Sequence, residues 1–330
     1  MNKETIQSSF LNQVRGKLPP NLSFADELAE LLNISRDSAY RRIRGETLLS
    51  LDEVKKMCDH FHLSLDQALS PSSDMITFQV RALNTEHFSF DKWLHSIYEN
   101  LNMISQFSDK DVTHNAKDLP IFHFFQYPLL ATFKMYFWKK FFARNSNDRA
   151  EKFKAGCISQ ELMSLGVRIW DKYASIPSTE IMNVETLTVT LRNIEFTKEC
   201  GFFEDNHDAL LLCEECEKLV DRLSKQAEAG KKSDSSGSAD GADYRLYHNE
   251  VLIGDNSIFF KMGEKRVAFV ISNNFDIMVT SQESFCRQTE DHINNLIAKS
   301  TLISHNAQRE RAKFFNRVSE RIQETKKRLN

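Results

Sequence analysis

Short apolar runs at helical spacing, each introduced by a capping residue, fill the first seventy residues of the chain. Ser23 is placed to cap one such helix, because a serine side chain can accept a hydrogen bond from the free backbone amides of a first turn. The positions after it recur every three or four residues and predict one buried helix face. That face consists of Phe24, Leu28, Leu31 and Leu32.

A second helix is predicted directly after the first, beyond a break at Asn33. Ser35 can cap it, and Ile34 and Ala39 have the spacing of a hydrophobic staple across its first turn. Gly45 stands where a helix commonly ends in a left-handed residue. We therefore expect two short helices joined by a tight turn.

Three further helices are predicted in the same region. An amphipathic stretch runs from about Ile6 to Val14, and the capping boxes Ser50–Glu53 and Ser64–Gln67 each precede an apolar helical pattern. Residues 1–70 should therefore form a five-helix domain.

Residues 23 to 69 resemble the helix-turn-helix domain of the phage-repressor-like (XRE) family, in the variant found in BetR-type regulators. The segments that carry the resemblance are "FADELAELLNIS", "RDSAYRRIRGE" and "SLDEVKKMCDHFHLSLDQAL". The resemblance implies that the second of these is a recognition helix, whose first turn enters the major groove of DNA.

The recognition helix has a polar face rich in arginine. If Ala39 and Ile43 point to the core, the step of about 100° per residue places Asp37, Arg41 and Arg44 on the opposite side. Arginine suits this position because its planar fork matches both guanine and phosphate oxygens. The predicted DNA-binding residues are Ser35, Arg36, Asp37, Ser38, Tyr40, Arg41, Arg42 and Arg44, of which Arg42 lies nearest the buried face. The alternative is a solvated basic face that contacts another protein.

Residues 75–330 are predicted to form a larger α+β region for sensing, dimerisation or partner contact. One strand is expected in "MITFQVRAL", followed by an aromatic-rich helical segment over residues 84–228. Its most apolar run, residues 119–142, is interrupted by polar residues and Pro128, which favours a buried helix over a membrane span. The run's phenylalanines are expected to be core, with a pocket for an apolar or planar effector as the alternative; they are Phe122, Phe125, Phe133, Phe137 and Phe141.

Two other features of the helical segment offer functional alternatives that we do not favour. His123 has no partner signal in the sequence and is expected in the core or at its rim. Cys213 and Cys216 have the spacing of a metal or redox pair, but they lie within a helical pattern without a second pair, so packing is the preferred explanation.

In the last hundred residues the hydrophobic pattern changes from helical spacing to the alternation typical of strands. Residues 229–243 lack large apolar side chains and are expected to be a flexible linker. Four alternating segments, "YRLYHNEVLI", "SIFFK", "RVAFVIS" and "DIMVT", then predict an antiparallel meander, followed by helices near 283–299 and 306–329. Residues 309–328 carry eight basic and three acidic side chains, which fits the outer face of an amphipathic helix docked on its own domain.

The whole chain is therefore expected to be mainly α with a smaller α+β part. Its near-neutral charge of -3 excludes a uniformly basic surface, six scattered cysteines favour free thiols, and the N-terminus lacks the pattern of a signal peptide, so a cytoplasmic protein is expected. The sequence favours a DNA-binding transcriptional regulator with double-stranded DNA, a second copy of the chain and a small-molecule effector as partners, without a membrane or a cofactor. A protein-docking scaffold and an enzyme with an unrecognised active site are the alternatives.

Overall fold

A computed structural model of the protein describes residues 5–18, 22–61, 63, 65, 76–81, 89–142, 151–237, 241–251, 254, 256–272 and 276–330. The chain divides into two compact units, Met1–Thr77 and Phe78–Asn330. Each unit has its own hydrophobic core.

The first unit is helical over its described residues. Its helices are α1 (Ile6–Arg15), α2 (Phe24–Leu32), α3 (Arg36–Ile43) and α4 (Leu51–Phe61). The predicted fifth helix, with the Ser64–Gln67 box, lies almost entirely outside the described residues. One apolar cluster joins the four helices, and its buried members are Phe10, Leu11, Val14, Leu28, Leu32, Ala39 and Met57.

The local signals in the sequence explain where these helices begin and end. The Ser35 hydroxyl accepts a hydrogen bond from the Ser38 amide, and Ser50 and Glu53 form the predicted reciprocal capping box. Asn33, with a φ of 55°, makes the left-handed turn between α2 and α3. Ser23 has the backbone conformation of an N-cap, but its side chain makes no capping hydrogen bond.

The second unit is built on an eight-stranded mixed sheet with the order β1-β7-β6-β5-β2-β3-β4-β8. The central strands β2, β3 and β4 are parallel, and every other neighbouring pair is antiparallel. The strands are β1 (Gln79–Arg81), β2 (Lys110–Asn115), β3 (Ser178–Met182), β4 (Tyr244–His248), β5 (Ser257–Met262), β6 (Lys265–Ser272), β7 (Asp276–Thr280) and β8 (Thr301–Leu302).

Helices cover both faces of this sheet. They are α5 (Phe90–Ser105), a 3-10 helix (Ile121–Gln126), α6 (Pro128–Phe142), α7 (Gln160–Ala174), α8 (Thr188–Glu199), α9 (Asp208–Ala229), α10 (Glu283–Ala298) and α11 (Gln308–Leu329). On one face α10 packs over Ile181, Phe259 and Ala268. On the other, α5 and α7 pack over Val112 and Phe260 of the central strands.

The strand arrangement corrects two predictions. The segment 84–228, expected to be helical, contains β2 and β3, and these strands form the middle of the sheet. The predicted meander is correct only for β5, β6 and β7, because β4 pairs in parallel with β3 and not with β5. The sequence KDVTHN of β2 has no alternation of apolar side chains, so the usual strand signal is missing.

The segment expected to be a flexible linker is, over its described residues, docked on the second unit. Lys232 is fully buried, and the Ser233 carbonyl accepts a hydrogen bond from the indole of Trp170 (3.0 Å). The Ser235 amide donates to the Asp171 carboxylate (2.9 Å). Polar composition indicated flexibility here, but specific hydrogen bonds hold these residues in place.

Three predictions about the second unit are confirmed. Helix α11 is docked on its own unit, with its apolar side chains buried against α8 and α9. Cys213 and Cys216 are unpaired core residues. The phenylalanines of residues 119–142 lie in or against the core, and no helix in the described part of the chain is long and apolar enough to cross a membrane.

Candidate functional site

Helix α3 of the first unit and its C-cap residue Arg44 present three arginines to solvent. Ala39 is fully buried and fixes the helix on the core, while the side chains of Arg36, Arg41 and Arg44 are each more than half exposed. A short helix that is anchored by one small residue and carries long cations outward can approach a polyanion closely.

Each of these arginines has an exposed acidic neighbour. The guanidinium of Arg36 lies 2.9 Å from the Asp26 carboxylate, and Arg44 lies 2.7 Å from Glu46, which is also 3.9 Å from Arg41. Exposed pairs of this kind contribute about 0 to 1 kcal/mol, so the arginines can exchange these partners for phosphates at little cost.

Arg42 is held differently from the other three arginines. Its side chain is 16% exposed, lies 2.7 Å from the Glu53 carboxylate and also donates to the Ser38 carbonyl. Burial alone would raise the pKa of Glu53, but the hydrogen bonds from Arg42 and the Ser50 amide lower it. This pair joins α3 to α4. Arg42, which belongs to the predicted DNA-binding residues, thus has a partner within the protein.

The other predicted contact residues lie at the start of α3. Ser35 and Ser38 share a hydroxyl hydrogen bond (2.9 Å), Asp37 is exposed, and the Arg36 guanidinium lies 5.8 Å from the centre of the Tyr40 ring. Helix α3 therefore brings Arg36 and Tyr40 together on its exposed side.

Gln7 of α1 supports α3 in a way that the sequence did not indicate. Its amide nitrogen donates to the carbonyls of Arg42 (2.9 Å) and Thr47 (2.8 Å), and its amide oxygen accepts from the Leu49 amide (3.0 Å). One side chain thus satisfies one backbone group in the last turn of α3 and two in the segment that follows it. Only the position of Gln7 on the polar side of an amphipathic helix could have suggested this.

The second unit contains a cavity of about 510 Å³ at the carboxyl end of β2. Helix α5, the segment that follows β2, helix α6 and strands β5 to β7 enclose it. Most of its walls are apolar, as is typical of small-molecule sites, and sites of this kind often lie beyond the carboxyl ends of parallel strands. The apolar walls include Ile97, Phe122, Trp138, Ile258, Phe260 and Phe269.

Two polar side chains on the cavity wall lack hydrogen-bond partners among the described residues. They are Trp93 and His114, which are 8% and 4% exposed. The atoms concerned are the indole Nε1 and the imidazole Nε2. Leaving a buried polar atom without a partner costs about 1 to 3 kcal/mol, so two on one cavity wall require a reason.

The charged side chains of this wall are Lys117, Asp118 and Lys134. Lys117 is exposed, whereas the Lys134 side chain is 1% exposed and donates to the Asp118 carboxylate (2.8 Å). The Lys134 ammonium also lies 4.7 Å from the centre of the Phe124 ring. The buried charge on the wall is thus compensated within the protein.

A fully buried carboxylate, that of Glu180, lies behind His114. The register of β2 and β3 pairs these two residues, which are otherwise 66 positions apart. Glu180 accepts hydrogen bonds from His123 Nε2 (2.8 Å), the Tyr173 hydroxyl (2.5 Å) and the Tyr244 hydroxyl (2.7 Å). His123 is a core residue, as expected, and it has in Glu180 a buried hydrogen-bond partner that the sequence did not indicate.

Lys232 is the other buried charge near this carboxylate. Its ammonium donates to the Tyr173 carbonyl (2.7 Å), the Ile176 carbonyl (2.5 Å) and the Ser178 hydroxyl (2.9 Å). These three bonds fix the segment after α9 onto the start of β3.

Burial and charge together determine the protonation of the group. Burial would raise the pKa of Glu180, but the charge and hydrogen bond of His123 lower it to about 2. Burial lowers the pKa of Lys232 to about 7 and that of His114 to about 4. At neutral pH the His114 ring is therefore uncharged, with one nitrogen able to donate and the other able to accept.

These residues can bind and orient a ligand through hydrogen bonds. In the part of the chain that the structure describes, no group of three or more His, Cys, Asp or Glu side chains is arranged to hold a metal ion. Comparison with known proteins found no matching family model, curated protein or solved structure.

Proposed function

We propose that the protein is a sequence-specific DNA-binding transcriptional regulator that reads DNA with helix α3. The observation that carries this proposal is the set of three solvent-exposed arginines, Arg36, Arg41 and Arg44, on a capped helix anchored by Ala39. Arg36 in the first turn is suited to base contacts, and Arg41 and Arg44 are suited to the phosphate backbone.

The second unit would supply the sensing or oligomerisation function. A homodimer would bind a pseudo-palindromic site with half-sites about 34 Å apart, which is one turn of DNA. The partners in this proposal are double-stranded DNA and a second copy of the chain.

The test begins with selection of binding sequences from random DNA by the full-length protein, near physiological ionic strength. Affinity for the enriched sequence is then measured by fluorescence anisotropy over a range of salt concentrations. Arg41→Ala/Arg44→Ala should weaken binding and make the slope of log affinity against log salt shallower by about 2, since each phosphate contact contributes about 0.9.

A matched control is Arg15→Ala/Lys56→Ala, which removes two exposed positive charges from α1 and α4 of the same unit. This control should leave the salt slope nearly unchanged. The proposal is wrong if no sequence is enriched, or if the control variant loses as much affinity as the α3 variant. Retained DNA affinity in the α3 variant would instead favour a protein-docking role for the arginine face.

A further inference from the structure

We propose that the cavity of the second unit binds a neutral, mainly apolar small molecule that carries both a hydrogen-bond acceptor and a hydrogen-bond donor. The acceptor would face the indole N–H of Trp93, and the donor would face the imidazole Nε2 of His114. This site is independent of DNA binding by the first unit, and it can be tested without DNA.

The polar groups on the wall define the ligand's hydrogen bonds. An indole nitrogen only donates, so Trp93 requires a hydrogen-bond acceptor on the ligand. The uncharged His114 ring accepts at Nε2 when its proton is on Nδ1, so this atom can pair with a donor on the same ligand. The centre of the His114 ring lies 5.6 Å from that of Phe122 and 5.7 Å from that of Tyr173. Both polar side chains are more than nine-tenths buried, so solvent on the outer surface is not their partner.

The charges on the wall argue for a neutral ligand. Lys134 and Asp118 already neutralise each other at 2.8 Å, and Lys117 is exposed to solvent. A charged ligand would lose its hydration in the cavity without gaining an unpaired counter-charge there.

The shape of the cavity and its aromatic walls favour a planar molecule. A volume of about 510 Å³ lies within the range of about 300 to 1,000 Å³ that is usual for small-molecule sites. Trp93 and Trp138 meet edge to face at 5.7 Å on the wall. Aromatic faces and edges of this kind pack well against flat rings.

The test uses three probes of similar shape on the full-length protein: naphthamide, acetylnaphthalene and isopropylnaphthalene. They carry a donor and an acceptor, an acceptor only, and neither. Equilibrium dialysis should show one naphthamide per chain, bound at least about tenfold more tightly than isopropylnaphthalene, with acetylnaphthalene between them.

Two variants locate the binding site. Ser96→Phe adds a ring to the wall of the cavity and should abolish naphthamide binding. Ser105→Phe is its matched control, because both serines lie on α5, are partly buried and donate to the backbone carbonyl three residues earlier, but Ser105 does not line the cavity. The control should bind naphthamide like the wild type.

A third variant keeps the proposal testable if Ser96→Phe fails to fold. Trp93→Phe removes the indole donor and keeps an aromatic ring. It should therefore lower the affinity for naphthamide about tenfold and leave the affinity for isopropylnaphthalene nearly unchanged. The absence of saturable naphthamide binding, equal affinities for naphthamide and isopropylnaphthalene, or an equal loss in Ser96→Phe and Ser105→Phe would each overturn the proposal.

Discussion

Replacing Glu180 by glutamine removes the buried negative charge at the centre of the second unit and leaves the shape of the side chain almost unchanged. The carboxylate accepts hydrogen bonds from His123, Tyr173 and Tyr244, and none of its surface is exposed. In Glu180→Gln one acceptor oxygen becomes a donor nitrogen, and the buried carboxylate charge beside His123 is lost. Breaking a buried pair from one side is usually strongly destabilising.

The magnitude follows from the pKa of Glu180. Its folded value of about 2 lies below the ordinary value of 4.5, which corresponds to about 3 kcal/mol of folding stability at neutral pH. Because the folded pKa is depressed, this contribution is complete above about pH 4.5 and is lost as the pH falls toward 2. Glu180→Gln should therefore lose about 3 kcal/mol at pH 7, and its deficit should be about 2 kcal/mol smaller at pH 3.

Urea unfolding followed by tryptophan fluorescence measures this effect in the second unit alone. The chain has three tryptophans, Trp93, Trp138 and Trp170, and all of them belong to that unit. Glu185→Gln is the control, because Glu185 pairs with Arg321 at a partly exposed position, where a loss below about 1 kcal/mol is expected. The reasoning is refuted if Glu180→Gln costs no more than Glu185→Gln, or if its deficit is as large at pH 3 as at pH 7.

Two further changes test the segment between α9 and β4. Because burial lowers the folded pKa of Lys232 to about 7, below its ordinary 10.5, the unfolded chain binds this proton at intermediate pH. The free energy of unfolding of the second unit should therefore rise by about 2 kcal/mol between pH 7 and pH 9. Urea unfolding at the two pH values should show this rise in the wild type and not in Lys232→Met. An equal rise in the variant would contradict the lowered pKa of Lys232. Gly230 has a φ of 65°, and an added Cβ would lie 1.9 Å from the His305 ring, so Gly230→Ala should lower the melting temperature of the unit. His305→Ala should recover part of the loss in the double variant, and a melting temperature that Gly230→Ala leaves unchanged would show that the ring moves freely aside.

The helical order of the first unit could be predicted because its signals are local. Ser35 caps the helix that follows it, and the Ser50–Glu53 box connects residues three positions apart. Such contacts depend on side chains that are neighbours in sequence, so periodicity and capping rules can find them. The partner of Arg42 could not be found in this way, because Glu53 belongs to the next helix and the ion pair depends on how the two helices pack.

The centre of the second unit escaped prediction for a physical reason. Strands β2 and β3 carry buried polar residues, such as Thr113, His114 and Glu180, where a strand in a sheet covered on both faces usually has apolar ones. Their partners come from distant parts of the chain: Tyr244 is 64 positions from Glu180, and Lys232 lies in a segment whose composition indicated a flexible linker. Periodicity cannot reveal hydrogen bonds that only the sheet register brings together.

The buried polar residues that obscure the strand pattern of β2 and β3 include His114, which also lies on the cavity wall. A sheet centre selected for stability alone would carry apolar side chains at these positions, because such replacements avoid the desolvation of a buried ion pair and of unpaired polar atoms. Departures from local sequence rules are expected chiefly at functional sites. In this protein, the Glu180 carboxylate has three internal hydrogen-bond donors, whereas the Nε2 of His114, its neighbour on strand β2, has no partner among the described residues. The paired groups stabilise the centre of the sheet. The unpaired ones mark the place where a ligand would supply the missing hydrogen bonds.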